Sequence, residues 1–202
     1  MLDGWVRRRI DPALEGVGAM LARRGVSADR VTVAAAALGL AAAAAVPFGL
    51  FVPALGLMLA SRLLDGLDGA IARHTRPTDR GGYLDIVLDF LVYGAFPLGF
   101  VLFDPEANAV AGAVLLLSFY VNGASFLAFA AIAEKRGLAP DARGRRSFLF
   151  TTGLAEATET ILFFVAFCLF PAWFAPLAFL FAAATFYTAA ARIVLAWRTF
   201  GP

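Results

Sequence analysis

The sequence predicts an all-α integral membrane protein: six transmembrane helices preceded by an amphipathic helix at the membrane surface. Three observations carry that prediction. The chain of 202 residues is 61% hydrophobic and 16% charged, which is more apolar than an ordinary soluble domain. The run from Val31 to Ser61 contains no charge and is longer than the roughly 20 residues that one span needs. Apart from Arg62, lysine and arginine fall in the N-terminal segment, the 73–80 and 135–146 connections and near the C terminus. The alternate turns at 48–52, 104–107 and 171–176 carry none, so the positive-inside rule predicts both termini on the cytoplasmic side.

Residues 1–28 read as a juxtamembrane segment and 29–202 as one membrane domain. Trp5, Ile10, Leu14, Val17 and Leu21 recur at near-helical spacing among Arg7, Arg8, Arg9, Arg23 and Arg24, the pattern of a helix lying in the interface. A flexible basic tail is the alternative. Pro47 and Pro53 bracket a turn at "FGLFV", which separates a first span at 29–47 from a second at 53–74. The third span covers 81–103 and ends before "DPEAN". The fourth covers 108–134, the fifth 148–170 and the sixth 172–198, with "PAWFAP" as the last turn. The alanine-rich stretch "AAAALGLAAAAA" of the first span reads as a close-packing surface. The aromatic residues of the last two spans read as lipid-facing bulk and interface anchors. Cys168, the single cysteine, excludes a disulfide or zinc framework and reads as packing. The basic residues follow topology rather than a groove, so no nucleic-acid partner is expected.

One stretch resists this apolar reading: "DGLDGAIARHTRPTDRGGYLDIVLDF", from Asp65 to Phe90. Asp65 and Asp68 are three residues apart and share a face of the second span. Asp85 and Asp89 are four apart and share a face of the third. At about 1.5 Å per residue both pairs lie at a similar depth from the cytoplasmic helix ends, and the short connection makes the two helices antiparallel neighbours. Four carboxylates can therefore converge. Unpaired, they would repel one another and take up protons. Magnesium or manganese resolves the repulsion, because these ions take oxygen ligands and join carboxylates to phosphates; two such ions form the arrangement used in phosphoryl chemistry. Gly66 and Gly69 allow close approach. The structural alternative neutralises the carboxylates with arginines such as Arg62 and Arg73.

The pattern Asp65-x2-Asp68-Gly69-x2-Ala72-Arg73-x7-Gly81-x3-Asp85-x3-Asp89 resembles the signature of the CDP-alcohol phosphotransferases, integral membrane enzymes of phospholipid synthesis. Its spacer after Arg73 is one residue shorter than the commonest form. The resemblance implies a transfer of a phosphatidyl or related phosphoalcohol group from a CDP-alcohol such as CDP-diacylglycerol to a hydroxyl acceptor, with release of CMP. It implies two divalent cations, Mg²⁺ or Mn²⁺, on Asp65, Asp68, Asp85 and Asp89. Asp89 matches the general base. Gly69, Ala72, Arg73 and Gly81 match the CDP pocket. Thr32 matches a threonine in a stretch that often reads Pro-Asn-x-x-Thr, where this chain has Ala28 and Asp29. A homodimer embedded among membrane lipids, in a bacterial inner membrane with its active site on the cytoplasmic side, is also implied. The segments "SFLAFAAIAEKRG" and "TTGLAEATETILFF" resemble an inner-membrane bacterial branch whose acceptor no motif assigns.

The acceptor side is less sharply drawn. Glu156 and Glu159 share a face of the fifth span; they either bind acceptor hydroxyls or form a structural pair with Arg192 or Arg62. Arg143, Arg145, Arg146 and Arg192 either belong to a solvated topogenic surface or bind an acceptor phosphate. The latter would favour glycerol 3-phosphate or inositol phosphate over a neutral alcohol or a lipid acceptor. His74 reads as a solvated loop residue. A different function class, a transporter of divalent cations or cationic solutes, would use the same aspartates as its transport site.

Overall fold

The computed structural model describes residues 3–138 and 157–201, with side chains from residue 9 onward. Among the described residues every regular element is helical. In chain order they are α1 (Asp3–Arg23), α2 (Ala28–Ala45), α3 (Phe51–His74), α4 (Asp79–Phe103), α5 (Pro105–Lys135), α6 (Ala157–Leu169) and α7 (Phe174–Phe200). Short 3₁₀ turns at Val46–Phe48 and Pro171–Trp173 lead into the α2–α3 and α6–α7 connections.

The turns form where the sequence places breakers. Gly49 adopts φ 73° after Pro47, a left-handed conformation that glycine takes without steric cost. Thr78 caps α4 by accepting a hydrogen bond from the Gly81 amide at 3.0 Å, and Asp104 caps α5 from the Ala107 amide at 3.1 Å, with Pro105 in the first helical turn. Asn108 is buried and donates to the Phe100 carbonyl at 2.8 Å. The same carbonyl accepts the Asp104 amide at 3.3 Å, so the Asn108 side chain ties the start of α5 to the end of α4.

The helix Ala28–Ala45 packs between α3 and α4. Its buried face is Thr32, Ala35, Ala36, Gly39, Ala42 and Ala43, so the small-residue stretch is the close-packing surface the sequence predicts. A Cβ at Gly39 would sit 2.6 Å from Val92, and one at Gly99 2.7 Å from the Ala43 carbonyl. Between helices in lipid, where burial of apolar groups drives little association, such close approach is the source of packing energy.

The aromatic residues behave differently from expectation. Phe164 and Phe167 of α6 and Phe174 and Phe181 of α7 are fully buried, and Phe100 stacks on Phe174 with centroids 5.0 Å apart. They form the core with Phe96 and Met58, while Phe170, Trp173, Phe179, Tyr187 and Trp197 of the same segments face outward. A run apolar on every face does not reveal by periodicity which side meets protein. Cys168 is buried in this core, as packing.

Four segments are long and apolar enough to cross a membrane by length and composition: Ala28–Phe48, Asp79–Phe103, Pro105–Lys135 and Pro171–Phe200. The α3 helix has 24 residues but carries Arg62, Asp65, Asp68 and Arg73 in its second half, and α6 is described over 13 residues. Large apolar side chains such as Val52, Leu102, Val110 and Leu180 lie exposed on the outer surface, the surface a bilayer would cover. The N-terminal helix does not stand apart. It packs against α3, with a Cβ at Gly18 falling 2.7 Å from Ala70 and one at Gly66 3.0 Å from Leu14, while Ile10 and Val17 remain exposed.

Candidate active site

Helical spacing brings the aspartates together as the sequence predicts. Asp65 and Asp68 project from α3 and Asp85 from α4, and one carboxylate oxygen of each lies within 4.8 Å of the others. Asp68 is buried, and its Oδ2 has no hydrogen-bond partner among the described residues. A buried carboxylate oxygen without a donor is costly. An all-oxygen set of this size around such an atom suits a hard divalent cation.

Asp89 has a different neighbour. Its Oδ1 accepts a hydrogen bond from Arg62 Nη1 at 2.7 Å, and the same Nη1 lies 3.6 Å from Asp65 Oδ2. Arg62 Nη2 donates to Ser61 Oγ at 3.0 Å, and Ser61 donates to the Ala35 carbonyl at 2.7 Å. The guanidinium also lies 5.1 Å from the centre of the Tyr93 ring. The arginine alternative thus holds for Arg62 with two of the four aspartates. Arg73, the other arginine considered, turns instead to α1, where its Nε and Nη2 each lie 2.6 Å from Glu15 Oε1. His74 joins it at 2.8 Å from Glu15 Oε2, so His74 is a helix-end partner of α1 rather than a solvated loop residue. The Arg73 hydrogen bond and charge, with those of His74, hold the Glu15 carboxyl below its ordinary range.

Two cavities meet at the aspartates. The smaller, of about 170 Å³, is lined by Thr32, Asp68, Gly69, Ala72, Gly81 and Asp85, with Asp29 and Arg76 at its edge. Four of the five residues matched to a CDP pocket come together here; Arg73 does not line it. Asp29 is held by Arg80, whose Nη2 and Nε lie 2.6 and 3.2 Å from Oδ2. A Cβ at Gly81 would fall 2.9 Å from Asp29 Oδ1 and 3.0 Å from the Thr78 hydroxyl, so a larger residue here would have to displace these side chains.

The larger cavity, of about 550 Å³, is bordered by Asp85 and Asp89 and by Tyr93, Phe126, Thr160 and Arg192, among others. Arg192 Nη1 is within 2.8 Å of both Asn122 Oδ1 and Ser125 Oγ and 3.0 Å from the Asn122 carbonyl; its guanidinium lies 5.6 Å from the Phe126 ring centre. Glu159 lies half-buried in the first turn of α6. Arg143, Arg145, Arg146 and Glu156 lie outside the described residues. Sequence reasoning missed Tyr93 and Asn122. Tyr93 could have been found, because it follows Asp89 by four residues and so continues the Asp85–Asp89 face. Asn122 stands as a lone amide in an apolar helix.

Among the described residues, an all-helical fold places a carboxylate cluster suited to a divalent cation between two cavities. The chain belongs to the CDP-alcohol phosphatidyltransferase family, whose model matches residues 25–197. It is 46% identical over 193 residues to the inner membrane protein YnjF of Escherichia coli, covering 96% of this chain and 94% of that one. It is 29% identical over 200 residues to the archaetidylinositol phosphate synthase of Methanothermobacter thermautotrophicus, covering 96% and 91%. Among solved structures the fold resembles the phosphatidylinositol phosphate synthase of Mycobacterium tuberculosis. The crystal structure with CDP-DAG bound matches with a TM-score of 0.71 at 23% identity, over 91% of this chain and 93% of that one. The complex with manganese and citrate matches with a TM-score of 0.69 at 24% identity, over 91% and 88%. This chain is thus an enzyme that moves a phosphatidyl-type group from a CDP-alcohol to a hydroxyl acceptor, and membership in that family sets aside the transport reading.

Proposed function

We propose that the donor is CDP-diacylglycerol, that its CDP moiety occupies the smaller cavity, and that a phosphorylated polyol such as inositol phosphate or glycerol 3-phosphate enters the larger one. The observation that carries this reading is the position of Asp85, which borders both cavities, while Asp68 borders only the smaller and Asp89 only the larger of the two. A transferase needs two substrates to meet at one set of charges.

On this reading Thr32, Gly69, Ala72 and Gly81 line the nucleotide, and Arg73 guards the same helix end. Asp65, Asp68, Asp85 and Asp89 would hold two divalent cations, Mg²⁺ or Mn²⁺, which would supply positive charge opposite the pyrophosphate and the charge that develops on it. Asp89 accepts the proton of the acceptor hydroxyl. The acceptor oxygen forms a bond to the lipid-side phosphorus, and the bond between that phosphorus and the bridging oxygen breaks, releasing CMP. Arg192 meets the acceptor phosphate, with Arg143, Arg145, Arg146, Glu156 and Glu159 as further acceptor contacts.

The chain crosses a bacterial inner membrane six times on this account, with α3 and α6 as the remaining spans. The N-terminal helix lies at the cytoplasmic surface ahead of the membrane domain, both termini and the site are cytoplasmic, and two copies form a dimer. The resemblance to an archaetidylinositol phosphate synthase and the arginine at the larger cavity support a phosphorylated acceptor. The test is to supply purified protein with CDP-diacylglycerol, Mn²⁺ and a panel of acceptors, then identify the lipid product by mass spectrometry. A phosphorylated lipid product from inositol phosphate or glycerol 3-phosphate is expected. Product only from unphosphorylated alcohols would overturn the acceptor assignment.

A further inference from the structure

We infer that Arg62, which lies outside the aspartate signature, is the positioning residue for Asp89: it holds one oxygen of that carboxylate from behind and leaves the other turned to the acceptor. This rests on the reading of Asp89 as the general base.

The inference starts from the expense of the residue. The Arg62 side chain is only 6% exposed, and a guanidinium at this depth persists only where its charge and donors are used. Nη1 takes Asp89 Oδ1 at 2.7 Å and Nη2 takes Ser61 Oγ at 3.0 Å. Ser61 is fixed in turn to the Ala35 carbonyl of α2 at 2.7 Å, and the Tyr93 ring of α4 lies 5.1 Å from the guanidinium carbon. Three helices therefore pin the group in one orientation. A planar fork with donors in fixed directions can transmit that orientation to a carboxylate, which a lysine ammonium does less well.

The second observation is where Arg62 does not reach. It lines the narrow gap shared by Asp65, Asp85 and Asp89 but does not border the 550 Å³ cavity, whereas Asp89 borders both. Arg62 thus stands on the side of Asp89 away from the acceptor. The contact with Arg62 is made through Asp89 Oδ1. Asp89 is not one of the three aspartates whose oxygens lie within 4.8 Å of one another. Arg62 joins α3 to α4, bonded to Asp89 and 3.6 Å from Asp65.

The experiment compares Arg62→Met and Arg62→Lys with wild type in nanodiscs, measuring kcat, KM for CDP-diacylglycerol and Mn²⁺ binding by calorimetry. Arg62→Met is expected to lower kcat about 100-fold, the cost of a misplaced reacting group, with KM for the donor within about 3-fold. Arg62→Lys is expected to recover part of the rate. Mn²⁺ affinity should hold or rise, because a positive charge beside the carboxylates has been removed. A purely structural arginine would instead lose Mn²⁺ binding and rate together, and that result overturns the inference, as does a kcat within about 3-fold of wild type. Should Arg62→Met not fold, Ser61→Ala, which releases Nη2 from α2, carries the test beside Arg62→Lys: a lowered kcat in both supports the inference, and wild-type kcat in both overturns it. Asp89→Asn run in parallel separates the two readings. An active Asp89→Asn removes the base assignment itself, whereas an inactive Asp89→Asn beside a fully active Arg62→Met removes only the role of Arg62.

Discussion

The two cavities that meet at Asp85 are built from different materials. The smaller is walled by the ends of α2, α3 and α4 and the connection after α3, where Gly69, Ala72, Gly81 and Gly82 stand beside Asp68, Asp85 and Arg76. The larger is assembled from α4, α5, α6 and α7, with large or polar side chains, among them Tyr93, Phe126, Asn122 and Arg192. The first is a product of local spacing: one helix hairpin supplies most of it, and a Cβ at Gly81 would collide with Asp29. The second depends on how distant parts of the chain pack. A site for a constant nucleotide can be written into one motif, whereas a site for a varying acceptor is left to scattered positions that can change without disturbing the motif.

The largest effect should come from the shared boundary. Asp68→Asn removes the buried carboxylate of the triad; turnover is expected to fall at least about 1,000-fold with loss of Mn²⁺ binding, read by calorimetry and CMP release. Retained Mn²⁺ affinity would place the cation elsewhere. On the small-cavity side, Gly81→Val inserts a branched side chain against Asp29 and Thr78. It should raise KM for CDP-diacylglycerol about 10-fold or more while the acceptor KM stays near wild type. On the large-cavity side, Arg192→Gln should do the reverse, raising the acceptor KM by about 10- to 100-fold for a phosphorylated acceptor. If both variants moved the same KM, the division of the two cavities would fail.

The aromatic core around Phe100 offers a control. Phe100 contacts Phe51, Phe96, Phe167 and Phe174, and Phe100→Ala should cost about 3–5 kcal/mol of stability, seen as a lower unfolding temperature in detergent with both KM values unchanged in the folded fraction. The smallest effect concerns α1. Glu15 is held below its ordinary range first by the Arg73 hydrogen bond, so its contribution is fully present above the usual glutamate value of about 4.3 and is lost as pH falls through the lower, folded value. Spin labels at Gly16 and Arg76 should therefore separate only in strong acid, and Glu15→Gln should abolish that transition.

How much was legible follows the same division. The aspartate cradle and the glycine wall could be read because helical periodicity converts spacings of three and four into shared faces; the expectation that a short connection makes α3 and α4 direct neighbours is corrected, because α2 packs between them. The buried alanine face of α2 was legible from its run of small residues. The burial of Phe164, Phe167, Phe174 and Phe181 was not, because in membrane helices both the core and the lipid-facing side are apolar. Arg73 was matched to the nucleotide pocket by its place in the motif, yet its guanidinium lies on Glu15, a residue 58 positions away in sequence. Arg62 was visible as a charge three residues before Asp65, but spacing along one helix could not show that its hydrogen bond crosses to Asp89 on the next.

The most direct test of the central claim, that donor and acceptor meet at the aspartates between the two cavities, is CMP release from CDP-diacylglycerol measured with and without acceptor in one preparation. Asp85 borders both cavities, so Asp85→Asn is the informative variant. Acceptor-dependent CMP release by the wild-type protein, and its loss in a folded Asp85→Asn protein, is the predicted result. Acceptor-dependent release by Asp85→Asn at the wild-type rate would contradict the account.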